Sequence, residues 1–306
     1  MQYCHEGEPM RSARLRFALI LLALLATGLG CAAPAQHVII VSLDGCRPDV
    51  ILTSDTPNIH DMADHGAFTW YAQTIMPSVT LPAHSSMLSG CLPAKHGMTW
   101  NDKFRPEAGY IKTSTCFEIA KAAGMSTAMF VGKEKLKHIA KPGTVDKFEL
   151  VEGGAIATCA AAAEYLKADK PSLLFVHDQD PDTVGHAFGW GSPQQHKAVE
   201  NCDKGLGILR QAVQAAGIAD STIFIITADH GGHLKNHGST DPRDMTIPWV
   251  CYGPGIVKSG EVQGSVWTCD TAATAVYALG LKADSQWDGK AVTEVFGAVK
   301  ETATAK

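Results

Sequence analysis

The stretch "TADHGGHLKNHG", Thr227 to Gly238, holds one carboxylate and three imidazoles: Asp229, His230, His233 and His237. Such groups bind divalent cations or move protons, and here they follow "STIFII", an apolar run suited to a buried strand. Similar groups recur upstream. Asp44 closes "HVIIVSLDG", and in "DPDTVGH" Asp182 and His186 stand four apart, a spacing that lets both face one ion from a helical turn. Hard carboxylate oxygens and imidazole nitrogens at three strand ends look like a two-metal site, for which zinc fits best and manganese is the alternative. The reaction is suggested by "MPSVTLPAHSSMLSG", where Thr80 follows an extended segment and precedes Pro82, a residue suited to a first helical turn. A hydroxyl there feels the positive helix end and its exposed amides, and a metal would hold it as an alkoxide nucleophile.

Elements must bring these groups together. The chain alternates short β-branched runs with longer helical stretches: strand patterns at 37–45, 125–132, 171–179 and 221–231, helix patterns at 56–66, 113–124, 157–168 and 194–217. A further strand and turn, "TIPWVCYGPG", and the helical "DTAATAVYALG" close the pattern. This alternation predicts an α/β fold, a mostly parallel sheet with helices on both faces. Such sheets carry function in the loops at the carboxyl ends of their strands, where Asp44, Asp182, Asp229 and His230 fall.

The ordered set "SLDG", "PSVTLPAH…SGCLPAKHG", "PDTVGH" and "TADHG" resembles the alkaline phosphatase superfamily, and within it the type I phosphodiesterase/nucleotide pyrophosphatase family. The resemblance runs from about Val38 to Gly255 and implies an alkaline-phosphatase-like three-layer sandwich. It implies one ion on Asp44, Thr80, Asp229 and His230, and a second on Asp182, His186 and His237. It also implies that Asn101 holds a non-bridging phosphoryl oxygen and that the reaction passes through a covalent phospho-threonine. His237 is preferred to His233 as last ligand because "HG" before "TIPWVCYGPG" matches the family's order of histidine, short loop and apolar strand. The spacing of seven from His230 is nevertheless shorter than in many relatives. Ala83 stands where the family often has asparagine. Thr80, Pro82 and His84 replace the cysteine or serine, proline and arginine of sulfatases, which disfavours that branch.

Lys133 and Lys135, in "GKEKLK", follow a strand and could neutralise a phosphate, as the lysine and arginine of threonine-dependent alkaline phosphatases do; an ordinary solvated turn is the equal alternative. The functional reading is a hydrolase of phosphodiesters or nucleotide pyrophosphates. A phosphomonoesterase is its alternative, and a silent metal- or phosphate-binding scaffold stands as a third. His60, His65, His84, His96, His177 and His196 are read as surface or packing residues, and Trp100, Trp190 and Trp267 as packing.

The whole chain has 306 residues, 45% of them hydrophobic, and a formal net charge of −5, with no basic footprint for sequence-specific nucleic-acid binding. The expected partner is a small phosphorylated substrate. Residues 1–35 read as an export signal: Arg11, Arg14 and Arg16 precede "FALILLALLATGLG", and "APA" offers a cleavage site before Gln36. The product would be periplasmic or secreted. Lipidation at Cys31 is the alternative, and it alone would tie the protein to a membrane. Residues 36–306 then form one catalytic domain, with few residues left over to cap its cleft. Its seven scattered cysteines are expected to be mostly buried, with one or two disulfides.

Overall fold

In a computed structural model, residues 33–257 and 260–296 are described; the export-signal reading up to Ala32, Cys31 included, lies outside them. The strands are β1 His37–Leu43, β2 Ala67–Gln73, β3 Thr127–Val131, β4 Lys147–Leu150, β5 Leu173–Asp178, β6 Thr222–Thr227, β7 Thr246–Tyr252 and β8 Gly260–Glu261. They form one mixed sheet in the order β4-β3-β5-β1-β6-β7-β2-β8. The five strands from β4 to β6 run parallel, and β7 lies antiparallel between β6 and β2. The centre of the sheet is dry: every residue of β3, β5 and β6 is buried, as continuous apolar runs covered on both faces require.

The helices are α1 Pro48–Leu52, α2 Pro57–His65, α3 Thr80–Ser89, α4 Pro93–His96, α5 Cys116–Ala122, α6 Gly154–Asp169, α7 Asp180–Phe188, α8 Pro193–Ala215, α9 Pro242–Met245 and α10 Asp270–Ala278. Helices α1, α2, α6 and α7 pack around α8 on one face, while α3, α5 and α10 pack together on the other. Small side chains let α6 and α8 approach closely. A Cβ on Gly205 would meet Cys159 Sγ at 2.7 Å, so the alanine-rich α6 and this glycine are complementary.

The expected three-layer α/β arrangement is present. Strand β2, which carries the chain toward Thr80, was not among the sequence-derived strands; its mixed "AFTWYAQ" pattern breaks at a register shift between Thr69 and Ala72. The antiparallel direction of β7 was likewise not legible. The expectation of disulfides is corrected: among the described residues all seven cysteines are free and buried, dispersed over different strands, helices and loops. Among the described residues no helix is long and apolar enough to cross a membrane.

Candidate active site

Four adjacent parallel strands, β3, β5, β1 and β6, deliver polar groups to one edge of the sheet. Asp44 follows β1 directly, Asp229 and His230 follow β6, Lys133 follows β3, and Asp182 and His186 lie in α7 just after β5. Thr80 is the first residue of α3 and is 1% exposed. The helix has no side-chain cap at Val79 and all its residues are buried, so packing rather than capping holds its start in place.

The three imidazoles His186, His230 and His237 share one arrangement. Each donates its Nδ1–H to a backbone carbonyl: His186 to Lys235 O at 2.8 Å, His230 to Gly231 O at 2.7 Å and His237 to Ser78 O at 2.9 Å. That fixes the tautomer and leaves each Nε2 lone pair directed into the cluster. There, His237 Nε2 and His186 Nε2 are 3.1 Å apart, and each lies 3.3 Å from Asp182 Oδ1. His230 Nε2 lies 3.4 Å from Asp44 Oδ1 and 3.3 Å from Asp229 Oδ2.

Electron-rich atoms thus face one another. Among the described residues, Asp44 Oδ1, Asp182 Oδ1, Asp229 Oδ2 and His230 Nε2 are buried with no hydrogen-bond partner. Buried acceptors that converge without donors are what a cation satisfies. Ligand atoms of Asp44, Asp229 and His230 lie within 4.8 Å of one another, as do those of Asp182, His230 and His237, so the donor set fits divalent metal.

His233 is elsewhere. Its Nδ1 lies 2.7 Å from Asp244 Oδ1, and its backbone pairs with Asn236 across the turn that presents His237. Of the two histidines weighed from sequence, the fold brings His237 to the cluster.

Lys133 Nζ contacts Asp44 Oδ2 at 2.7 Å and Asp182 Oδ2 at 2.5 Å, and reaches Thr80 Oγ1 at 3.4 Å. Burial alone would push its ammonium down, but Asp44 and Asp182 outweigh that and raise it. Burial pushes the Asp44 carboxyl up, yet Lys133, His177 and His230 hold it well below the usual range. Asp182 and Asp229, raised by burial and by Asp44, are also held low, chiefly by His186 and Lys133 for the first and by His230 and His84 for the second.

Lys135 donates to Asn101 O at 2.7 Å and Oδ1 at 3.1 Å, and Leu81 N–H donates to the same Oδ1 at 3.0 Å. Two donors on Oδ1 fix the amide so that its NH2 is the end left free. This alters the expected role of the helix start: Leu81 N–H holds Asn101 and Ala83 N–H holds Val79 O, so these amides are engaged within the protein.

Two histidines read as packing sit directly behind the cluster. His177 Nδ1 accepts from Gly132 N–H at 3.2 Å, so its Nε2–H donates to Asp44 Oδ2 at 2.8 Å. His84 donates Nδ1–H to Thr80 O at 2.8 Å, and its Nε2 accepts from Ser42 Oγ at 2.8 Å. His177 follows the continuous apolar run Leu173–Val176 on a buried strand, and this was the one available signal: a histidine in such a strand needs a partner. The arrangement orients a carboxylate through an imidazole and leaves its other oxygen free.

The site is open on one side. His186 has 43% of its side chain exposed, whereas Asp44, Asp229 and His230 have none. An acidic and imidazole-rich cluster beside a buried hydroxyl can take a small anionic ester, provided cations offset the carboxylates.

The comparisons with known proteins agree with this architecture. The family model for type I phosphodiesterase / nucleotide pyrophosphatase matches residues 38–236, and the chain belongs to that family, within the alkaline phosphatase superfamily. Human ectonucleotide pyrophosphatase/phosphodiesterase family member 5 is 27% identical over 240 residues, covering 72% of this chain and 50% of its own. Rat family member 7 is 24% identical over 287 residues, covering 81% of this chain and 65% of its own. The chain thus spans only part of these curated relatives. Among solved structures, murine ectonucleotide pyrophosphatase/phosphodiesterase 5 in complex with AMP superposes with a TM-score of 0.73 at 16% identity, over 86% of this chain and all of that one. A Bacteroides thetaiotaomicron protein described as a putative sulfatase gives 0.72 at 14% identity, over 85% of this chain and 74% of that one. Identities this low speak to the fold.

Proposed function

We propose that the chain is an exported, metal-dependent hydrolase of phosphodiesters or nucleotide pyrophosphates that uses Thr80 as nucleophile. The observation that carries this reading is the convergence of His186 Nε2, His237 Nε2 and Asp182 Oδ1, acceptor against acceptor, beside the buried Thr80 hydroxyl. Asp44, Thr80, Asp229 and His230 would hold one divalent ion and Asp182, His186 and His237 another, zinc or manganese. When bound, such ions neutralise charge on the phosphoryl group and on the entering and leaving oxygens.

The residues of the chain do the rest. Thr80 Oγ attacks phosphorus in line; the new Oγ–P bond forms as the bond to the leaving oxygen breaks. The Lys133 ammonium, 3.4 Å from Oγ, favours its deprotonated form. The free amide of Asn101 donates to a non-bridging oxygen. Water then attacks the phospho-threonine, releasing phosphate or a nucleotide and restoring the hydroxyl. The AMP named with the murine neighbour fits a nucleotide substrate. Export is supported by the amino-terminal signal pattern and by relatives named as ectoenzymes.

A phosphomonoesterase is the second reading, favoured by Lys133 beside Thr80 and Lys135 beside Asn101, two cations suited to a dianionic phosphate. The test is hydrolysis of bis-p-nitrophenyl phosphate and p-nitrophenyl phosphate with zinc or manganese, after chelation, and by Thr80→Ala. Chelator-sensitive turnover lost in the variant is expected, and the faster substrate decides between diester and monoester. A folded, metal-loaded protein inactive on both would instead favour a binding scaffold.

A further inference from the structure

Trp190 touches both halves of the cluster. Its indole N–H donates to Gly45 O at 2.7 Å, beside Asp44, and Gly45 N–H donates in turn to Asp229 Oδ1 at 3.0 Å. Its backbone N–H donates to Leu234 O at 2.8 Å, one residue before the carbonyl that orients His186. The indole stands edge-on to His186, with centroids 5.1 Å apart and planes at 86°, and lies 5.8 Å from His237 at 62°.

The space for this ring is made by two glycines. A Cβ on Gly185 would come within 2.8 Å of the indole and one on Gly232 within 2.2 Å. Neither glycine has a positive φ, so each is required by the ring and not by its own backbone conformation. Gly185 precedes His186, and Gly232 lies two residues beyond His230. An aliphatic side chain would fill the volume, but only tryptophan combines that bulk with an N–H that satisfies Gly45 O.

We propose that Trp190 is a positioning residue that sets the distance between the Asp44–Asp229 half and the His186–His237 half of the site. Its polar edge pins the backbone beside the first, and its ring holds the imidazoles of the second. The two halves respond differently to its loss. Asp44 keeps His177, Asp229 keeps Gly45 N–H and His230 keeps Gly231 O, and all three are fully buried; His186 and His237 keep Lys235 O and Ser78 O but lose the ring against which they lie. An ion on Asp182, His186 and His237 is therefore the one that Trp190 supports. This inference rests on the metal-dependent reading above.

The test is a titration of Co2+ into the chelator-treated full chain, followed by the absorbance of the bound ion, for the wild type, Trp190→Leu and Trp190→Phe, with circular dichroism to check the fold. The wild type should take up two equivalents. Trp190→Leu should weaken one step by about tenfold or more and leave the other unchanged, as loss of a ligand-orienting partner does. Trp190→Phe keeps a smaller ring against His186 and His237, so it should weaken the same step by a smaller factor. If the leucine variant does not fold, the phenylalanine variant decides alone on the same criterion. Wild-type affinity at both steps in the folded variants, or equal loss at both, would overturn the role of Trp190 while leaving the two-ion reading intact. No uptake by the wild type would overturn that reading and this inference with it.

Discussion

As the proposed nucleophile, Thr80 would gather its reactivity from neighbours, not from its own chemistry. A threonine hydroxyl is a weak nucleophile, and here Lys133 at 3.4 Å and the carbonyl-anchoring His84 surround it. Thr80→Ala is expected to abolish turnover by at least three orders of magnitude and to prevent covalent labelling by a phosphorylated substrate, while Thr80→Ser should retain labelling. Acid-quenched mass spectrometry of the intact chain reads both. Asp178 makes a different prediction. It is fully buried at the end of β5, where among the described residues its carboxyl has the Cys159 thiol as its hydrogen-bond partner, and burial followed by the charge of Asp180 pushes it well up. Its pKa is therefore higher folded than unfolded, where it is about 3.9. The unfolded chain ionises first, so stability falls as pH rises from about 4 toward the folded value. Asp178→Asn removes that dependence. The melting temperature of Asp178→Asn relative to wild type should climb between pH 5 and pH 8, and a flat difference would show that Asp178 is ionised in the fold.

At the scale of elements, the turn after β6 shows how one histidine serves structure so that another can serve the site. Asp244 accepts from Ser239 N–H at 3.0 Å and Ser239 Oγ at 2.7 Å and pairs with His233, closing the loop that carries His237 between them. Asp244→Ala leaves those donors unpaired in a partly buried loop and is expected to cost about 1–3 kcal/mol in urea unfolding. Its second effect is specific: metal uptake should weaken, because His237 loses its frame. His233→Ala should be milder in both measurements, since Ser239 continues to hold Asp244. Equal metal affinity in wild type and Asp244→Ala would mean that the bond to Ser78 O alone fixes His237.

For the whole molecule, the cluster is a buried concentration of negative charge in the middle of the sheet edge. Burial raises Asp44, Asp182 and Asp229, but Lys133 and the histidines outweigh it and hold all three below their unfolded values. The stability they contribute is therefore complete above the unfolded pKa of about 4 and is lost as pH falls through the lower folded values. Acid titration of the metal-free protein should show stability falling below pH 4, with Lys133→Met losing much of that dependence and being less stable at pH 7. A divalent ion that bound the folded chain and not the unfolded one would, at a hundredfold excess over its Kd, add about 2.7 kcal/mol. Chelation should lower the melting temperature, and zinc or manganese should restore it; an unchanged melt would count against a folded-state metal site.

The sequence by itself determined the layers and the family. Runs such as "STIFIIT" and "LLFVHD" can only be strands buried on both faces, and a parallel sheet sends its loops, with Asp44, Asp182, Asp229 and His230, to one edge. The order of those groups around Thr80 carried the family. The tertiary structure alone decided which partners meet. His233 and His237 look alike in a five-residue stretch, and only the turn anchored on Asp244 separates a loop brace from a group facing the cluster. His84 is silent in sequence and His177 signals only that it needs a partner, because the partners of these buried histidines lie 42 and 133 residues away. Strands β2, β4 and β8 and the antiparallel direction of β7 escaped for the same reason: pairing direction and register depend on neighbours distant in the chain, whereas periodicity reports only what lies within a few residues.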